Sequence, residues 1–231
     1  MALAGQAFLA LWNDIAPHRE REYDRWHTKE HVPERVAVSG FRGARRYVDR
    51  AVPRHRYFTL YEVADLASFD NPEYVDVVHH PTPWSASMRG DFSNVVRAVC
   101  RVSASQGAGI GAAIGVLCHE RAVAPGAVEA VETLLQAPGV TGCHVGEGSA
   151  GVSTPWSKSA EGAAPTFDRI LLIEALDREG ASNALAHARR SLGLPAVASA
   201  FGCGVYDLAF VFPGHDASSR AAHRRSSWQN D

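Results

Sequence analysis

The composition of this 231-residue chain is that of a globular protein: 46% of its residues are apolar and 21% are charged. These fractions exclude a disordered chain, and the formal net charge of −2 excludes the basic surface that attracts nucleic acid or an anionic membrane. No apolar run reaches the roughly 18 residues of a membrane-spanning helix. The first residues lack the basic start of a signal peptide, so we expect a cytoplasmic protein without nucleic-acid or membrane partners.

The cysteines are widely separated, and no C-x-x-C pair occurs among Cys100, Cys118, Cys143 and Cys203. This spacing disfavours zinc ribbons and thioredoxin-like redox motifs. We therefore expect reduced, buried thiols, as in most cytoplasmic proteins.

The first half of the chain, residues 1–105, is predicted to form one unit with the order β-α-β-β-α-β. In chain order, the predicted elements are a strand over 6–12, a helix over 19–38, strands over 41–49 and 56–64, a partial helix over 65–78 and a strand over 93–104. Ser39 and Gly40 end the first helix, and Pro33 predicts a break or kink near Val32. The Pro-rich stretch over 79–87 is predicted not to be a regular helix.

The second half, residues 109–213, repeats this order more loosely. Its predicted elements are strands over 109–120, 140–148, 167–177 and 202–213, with helices over 125–139 and 181–193. A small-residue loop over 149–165 and a polar tail over 214–231 complete the chain.

Two consecutive β-α-β-β-α-β units are the ferredoxin-like arrangement, duplicated. Each unit places its helices on one face of a four-stranded sheet and leaves the other face apolar. Two such faces in one chain can cover each other. The sequence therefore predicts an α+β fold in which the two units form an intrachain pseudo-dimeric α/β barrel, joined by a small-residue linker over 105–108. The alternative is one sheet that continues through both halves.

The first helix carries an aromatic and ionisable stripe. Tyr23, His27 and His31 are spaced four residues apart and share one face, with Trp26 beside them. A core-facing stripe is ordinarily aliphatic, and Trp and Tyr are unusual on a bare solvated face. The stripe is either the wall of a pocket or a solvated or interface surface, and we favour the pocket.

The same helix spells H-T-K-E-H over residues 27–31, which matches the H-x-x-E-H pattern of inverted zinc proteases. In that pattern two histidines hold zinc and the glutamate, here Glu30, acts as the base. Such enzymes need a third ligand on another helix, and no matching acidic helix is evident. We predict no metal at this motif.

A second segment with aromatic and imidazole side chains lies near the end of the second predicted helix, with Tyr74, His79, His80 and Trp84. Pro-braced loops can act as lids, so Trp84 is expected to close an apolar cavity and one of the two histidines to face it. The alternative is a rigid loop with surface histidines.

Arginines follow the first helix. Arg35 is the best placed to hold a carboxylate or enolate oxygen. We interpret Arg42 and Arg46 as strand-edge charges that oppose aggregation.

Residues 23–47 resemble the EthD-like family of the dimeric α/β-barrel superfamily. The matching residues are Tyr23, Trp26-His27, His31-Val32-Pro33, Gly40-Phe41-Arg42 and Arg45-Arg46-Tyr47. The resemblance implies paired ferredoxin-like sheets, so that this tandem chain looks like a fused dimer. It implies that His31 is a pocket acid or base, and the second half lacks the element. The superfamily includes cofactor-free cyclases, isomerases, dehydratases, lyases and monooxygenases, as well as heme-using members.

These observations leave three hypotheses. The first is a cofactor-free acid/base enzyme of isomerase, dehydratase, lyase or cyclase type, acting on a small apolar or aromatic oxygenated substrate. In it His31 is the acid or base, and His79 or His80 is a second proton-transfer group. His27 or Tyr23 either orients His31 or polarises a substrate oxygen. Trp26, Arg35, Tyr74 and Trp84 would contact the substrate.

The second hypothesis is a non-catalytic small-molecule-binding or assembly module, and the third is a heme or metal enzyme using the same histidines. The sequence allows a homo-oligomer under each hypothesis.

Overall fold

The computed structural model describes residues 1–120, 122, 124–149, 167–194 and 203–214. Its strands are β1 (Ala7–Ile15), β2 (Phe41–Val48), β3 (Tyr57–Val63), β4 (Phe92–Gly107), β5 (Ala113–His119), β6 (Val140–Gly148), β7 (Arg169–Ala175) and β8 (Gly204–Pro213). Its α-helices are α1 (Glu20–Trp26), α2 (Val32–Val36), α3 (Pro72–His79), α4 (Pro83–Met88), α5 (Ala130–Leu135) and α6 (Arg178–Ser191). A π-helical turn, His27–His31, joins α1 to α2.

The strands close into a barrel in the order β1-β3-β2-β8-β5-β7-β6-β4. Within this ring, each half keeps the strand order of a ferredoxin-like sheet, and β2–β8 and β4–β6 pairs join the halves. All strand pairs are antiparallel. The predicted α+β fold of two tandem units forming an intrachain α/β barrel is confirmed.

The barrel interior is filled by apolar side chains from both halves. Trp12 packs on Phe58 with ring centroids 4.9 Å apart, and Phe58 packs on Tyr206 of the second half at 5.7 Å. Ile170 and Leu172 are fully buried in the same cluster. Burial of these residues closes the two sheets on each other and leaves their outer faces for the helices.

One end of the barrel interior holds a buried ionic cluster that crosses between the halves. Arg45 on β2 binds Glu62 at 2.9 Å and also binds Glu174 on β7. His144 on β6 lies 3.4 Å from Glu174. Because breaking one partner of such a buried pair leaves an uncompensated charge, this cluster fixes the relative position of the halves.

The first helical segment is continuous from Glu20 to Val36, so Pro33 does not break it. Pro33 has no N–H for the carbonyl four residues earlier. The irregularity lies just before it, where the Val32 N–H donates to the carbonyl of His27, five residues earlier. The helix ends at Val36, two residues before the predicted end at residue 38. Gly40, whose φ of +95° favours glycine, lies in the turn that leads into β2.

Two local predictions were wrong. The Pro-rich stretch contains α4, because Pro83 occupies the first turn, where no amide is needed, and the Thr82 side chain caps the helix. The predicted linker is strand as far as Gly107, since β4 pairs with β6 from Cys100 to Gly107. The small residues there allow the two strands to pack closely and do not form a flexible linker.

The thiols of Cys100, Cys118, Cys143 and Cys203 are all free, the last half-buried and the others buried. Burial raises the pKa of Cys143 to about 12. Residues 150–165 of the predicted loop and 215–231 of the predicted tail lie outside the described residues. Within the described part of the chain, no helix combines the length and apolar character needed to cross a membrane.

We predict that Gly146→Ala lowers the free energy of unfolding by about 1–3 kcal/mol. A Cβ on Gly146, on β6, would lie 2.2 Å from the ring of Phe8 on β1. The Phe8 ring or the backbone of β6 must therefore shift, which disturbs the packing between the two halves. Urea unfolding measures the loss. Gly126→Ala is the control, because no heavy atom lies within 4 Å of its added Cβ; equal stability of the two variants would contradict this packing.

Candidate active site

A pocket lies between the outer face of the first sheet and the helices that cover it. Its volume, including the open mouth, is about 780 Å³. Its lining residues come from the sheet (Leu9, Leu11, Asn13, Phe41, Tyr61, Phe92, Val95, Arg97), from the first helical segment (Tyr23, Trp26, His27, His31, Arg35) and from the residues after it (Tyr74, Val78, Pro81, Ser85, Arg89).

The stripe predicted on the first helix faces this pocket. Tyr23, His27, His31 and Arg35 all line it. The ring centroids of Tyr23 and His27 are 5.3 Å apart, and those of His27 and His31 are 5.4 Å apart. His31 also stacks on Trp26 at 4.3 Å. The helix thus presents one phenol, two imidazoles and one guanidinium in a row.

Tyr23 is held at one end of this row. Its hydroxyl donates to Oδ1 of Asn13 on β1 at 3.1 Å. The Arg46 guanidinium lies 4.7 Å from the Tyr23 ring centroid and binds Asp24 at 2.5 Å. Burial raises the pKa of Tyr23 to about 12, so the phenol stays protonated and can act as a donor. Arg46 is itself buried, so its interpretation as a strand-edge charge was wrong.

The two imidazoles are held neutral. Burial lowers the pKa of His27 well below its usual range, and Arg46 adds to the effect. Burial, followed by the charge of Arg35, does the same for His31. In both rings Nδ1 is buried without a hydrogen-bond partner. A buried polar atom without a partner costs free energy, so these two nitrogens are available to a ligand atom.

Arginines dominate the other end of the pocket. Arg35 binds Glu34 at 2.7 Å, and its side chain is only 7% exposed. Arg97 enters from β4, and burial lowers its pKa to about 10. Arg89 lines the pocket and donates to the carbonyl of Val78 at 2.7 Å. Among the described residues that line the pocket, none is acidic.

A buried carboxylate fixes the wall opposite the helix. Glu30 accepts hydrogen bonds from Thr82 at 2.5 Å and from Ser85 at 2.9 Å. Trp26 donates from its indole nitrogen to the Ser85 hydroxyl at 3.1 Å. These bonds hold the start of α4 against the π-helical turn. Because Glu30 is engaged there, it is not placed as the base of an H-x-x-E-H site.

Several predicted site residues lie elsewhere. His79 and His80 are exposed, and His80 binds Asp76 at 2.7 Å with its side chain 72% exposed, so the prediction that one of them faces the cavity was wrong. Trp84 is half-buried outside the lining, where its indole donates to Glu22 at 3.1 Å. Helix α3 ends with His79 and His80 exposed at its C-terminus, and α4 presents Ser85 to the pocket.

Trp26, Arg35 and Tyr74 line the pocket, and their contact with a substrate stays a prediction. Asn13, Tyr61 and Arg97 were missed because each stands in a strand whose neighbours are largely apolar. The sequence feature that could have identified Arg97 as a pocket residue is its charge within the otherwise apolar run VVRAV. In the described part of the chain, no three His, Cys, Asp or Glu side chains are grouped to hold a metal ion.

The fold superposes on solved structures over nearly their whole length. An anthrone oxidase-like protein aligns with a TM-score of 0.62 at 11% identity, covering 94% of this chain and 97% of that one. A candidate monooxygenase from Fusobacterium nucleatum aligns with 0.55 at 12% identity, covering 91% and 96%, and one from Lactobacillus acidophilus with 0.52 at 11%, covering 90% and 96%. No protein-family model and no curated protein matches the chain. The likeness shows a shared fold.

We predict that the free energy of unfolding falls as the pH drops below about 6.5, partly because of His27. The unfolded chain binds a proton at His27 near that pH, whereas the folded pKa is lower, so the unfolded state binds more protons and stability is lost. His27→Phe should reduce this slope by up to about 1.4 kcal/mol per pH unit. Urea unfolding between about pH 6.5 and pH 5 measures it. Gly146→Ala controls for lost stability alone, and an unchanged slope in His27→Phe would contradict the burial of a neutral ring.

We predict that Glu30→Ala destabilises the protein by about 2–3 kcal/mol, because the Thr82 and Ser85 hydroxyls lose a charged acceptor. Amide hydrogen exchange over 82–88 should rise as the start of α4 loosens. Glu132→Ala, at an exposed position on α5, should stay within about 0.5 kcal/mol of the wild type. Equal effects of the two substitutions would show that Glu30 does not hold this wall.

Proposed function

We propose that the chain is an EthD-like, cofactor-independent acid/base enzyme that acts on a small aromatic or apolar oxygenated molecule. The observation that carries the proposal is the convergence of Tyr23, His27, His31 and Arg35 on one pocket. A protonated phenol, neutral imidazoles and a guanidinium are the groups that proton transfer next to a carbonyl or phenol requires.

His31 is the proposed base. Its neutral ring accepts a proton from an acidic C–H or O–H of the substrate, and the electron pair of the broken bond moves onto the substrate oxygen. Arg35 and Arg97 stabilise the resulting oxyanion. The proton then returns from His31 to a different atom in an isomerisation or cyclisation, or to a leaving hydroxyl in a dehydration.

Tyr23 is proposed to orient the substrate, and His27 is proposed to position the base, His31. Because the Tyr23 hydroxyl donates a hydrogen bond to Asn13 at 3.1 Å, the phenolic oxygen is fixed and its lone pairs can accept a hydrogen bond from the substrate. His27 lies between Tyr23 and His31 with ring contacts to both, so it sets the position of the base. Trp26 stacks on His31 and limits the rotation of its ring.

The fold comparison fits an oxygenated aromatic substrate, since the similar structures include an anthrone oxidase-like protein and candidate monooxygenases. A cytoplasmic location and homo-oligomerisation stay predictions. The described residues give one further reason to keep a binding module as second candidate: the buried histidine nitrogens without partners are also what a ligand cradle without turnover would offer.

We predict that His31→Ala slows proton exchange by about 10²–10⁴-fold. The assay follows deuterium uptake from D₂O into a panel of bicyclic aromatic ketones such as 1-tetralone by mass spectrometry. His80→Ala is the matched control, because His80 is exposed and outside the pocket, and it should retain the wild-type rate. Unchanged exchange in His31→Ala would refute the base assignment.

The same samples separate the other hypotheses. Ligand-induced thermal stabilisation without exchange in any ketone would favour the binding module. A visible absorption band in the purified protein that His27 or His31 substitutions remove would favour the heme or metal enzyme.

A further inference from the structure

The hydroxyl group of Tyr61 is a hydrogen-bond donor that the pocket leaves unused. Tyr61 on β3 lines the pocket and is 2% exposed, and its oxygen has no hydrogen-bond partner among the described residues. Burial raises the pKa of this phenol, so it keeps its proton and can donate. Because buried polar groups without partners are rare and cost free energy, an acceptor atom of a bound ligand explains this hydroxyl.

The hydroxyl group of Tyr23 offers the opposite hydrogen-bonding character. The amide nitrogen of Asn13 donates to the carbonyl of Asp14 at 3.4 Å, so the amide oxygen of Asn13 faces Tyr23. That oxygen accepts, at 3.1 Å, the one proton that the phenol can donate. Only the lone pairs of the Tyr23 oxygen remain, and they accept. The part of an oxygenated substrate that meets Tyr23 must therefore be a hydroxyl group.

The two phenols act at different positions along the sheet. In the register of β1 and β3, Tyr61 stands opposite Leu9, whereas Asn13, which holds Tyr23, lies four residues further along β1. Four residues of extended strand span about 13 Å. Leu11 lies between these two levels and lines the pocket together with Leu9. This apolar floor suits the carbon framework of a ligand that carries one polar group at each end.

Aromatic side chains surround the Tyr23 end. Tyr23, Trp26 and Phe92 all line the pocket, and their rings contact one another at centroid distances of 5.7–6.0 Å. Such a cluster favours an aromatic ring of the ligand as its neighbour. The hydroxyl group that Tyr23 accepts from is therefore expected to be phenolic.

The Tyr61 end is the end at which the proposed reaction takes place. The positive charges of Arg35 and Arg97 act on the pKa of both Tyr61 and His31, so these side chains lie in one region of the pocket. In the proposed function, the two guanidiniums stabilise the oxyanion that forms from the substrate carbonyl. Tyr61 can donate to that same oxygen, since a carbonyl oxygen accepts more than one hydrogen bond.

We propose that the substrate is an aromatic hydroxy ketone, whose carbonyl oxygen accepts a hydrogen bond from Tyr61 and whose phenolic hydroxyl, at the opposite end, donates one to Tyr23. The inference rests on the proposed function, because it takes this pocket as the substrate site. It adds a second oxygen to the substrate and fixes which way round the molecule binds. The acidic C–H bond next to the carbonyl then lies at the end that holds His31.

Calorimetric titration of the full chain with 6-hydroxy-1-tetralone, 6-methoxy-1-tetralone and 1-tetralone tests the proposal. All three share the ketone, and only the first carries a hydroxyl group that can donate. We expect the hydroxy ketone to bind roughly threefold to tenfold more tightly than the other two, which is the net value of one neutral hydrogen bond. Equal affinity of the three ketones, or no binding of any of them at millimolar concentration, would overturn the proposal.

Two substitutions test which oxygen each phenol binds. Tyr23→Phe should remove the preference for the hydroxy ketone. Tyr61→Phe should weaken the binding of all three ketones by roughly threefold to tenfold and keep that preference. A preference that survives Tyr23→Phe, or wild-type affinities in Tyr61→Phe, would contradict the assignment. The titrations of the wild type need no variant, so the proposal stays testable if Tyr23→Phe, which leaves Asn13 without its donor, fails to fold.

Tyr57→Phe is the matched control on β3. Tyr57 is not among the residues that line the pocket, and its oxygen accepts from Arg50 at 3.4 Å. This variant should bind all three ketones as the wild type does. A loss of affinity in Tyr57→Phe equal to that in Tyr61→Phe would show that the effect is not specific to the pocket and would contradict the role of Tyr61.

The two proposals fail in different ways. Deuterium exchange into 1-tetralone that depends on His31, with no preference for the hydroxy ketone, would overturn the hydroxy-ketone assignment and leave the base assignment intact. Binding of the hydroxy ketone through Tyr61 and Tyr23, without exchange that depends on His31, would overturn the base assignment and support the hydroxy-ketone assignment.

Discussion

The candidate site depends on one constraint: the first helical segment must bury its polar face against the outer side of the first sheet. That face would ordinarily be aliphatic. Here the sheet residues beneath it, such as Leu9 and Leu11, supply the apolar contact, while His27 and His31 supply the polar atoms. Burial without partners keeps both imidazoles neutral. In the proposed function, the reaction therefore begins from a neutral base with guanidinium groups nearby, an arrangement that favours negative charge on the substrate that the base deprotonates.

The two halves of the chain share a fold and divide its tasks. In the second half, α5 and α6 cover their sheet with aliphatic residues such as Leu134, Ala184 and Ala188, so the described part of that half presents no counterpart to the imidazole stripe. Its sheet seals the inner face of the first sheet, and Glu174 reaches across to Arg45. One half thus carries the polar pocket, and the other supplies apolar burial that offsets the cost of burying charge.

Periodicity predicted the fold well, because the alternation within each strand and the order of strands and helices along the chain can be read directly from the sequence. The inward face of Tyr23, His27 and His31 followed from their spacing, and the structure places all three in the pocket. His79 and His80 were misplaced because they stand at the exposed C-terminal end of α3, and Trp84 was misplaced because a second helix, capped by Thr82, begins at Pro83. Arg97 and Tyr61 approach the pocket from strands that are distant in sequence, and only strand pairing brings them there.

The most direct test of the account is ¹⁵N NMR of the histidine rings in the free protein, with His31→Gln and His27→Gln used to assign the signals. Both residues should show the chemical shifts of a neutral imidazole across the pH range in which an exposed histidine titrates, which extends about one pH unit on either side of about 6.5. Ordinary titration of His31, with the shifts of a ring open to water, would mean that the helix face is hydrated and would contradict the site proposed for this fold.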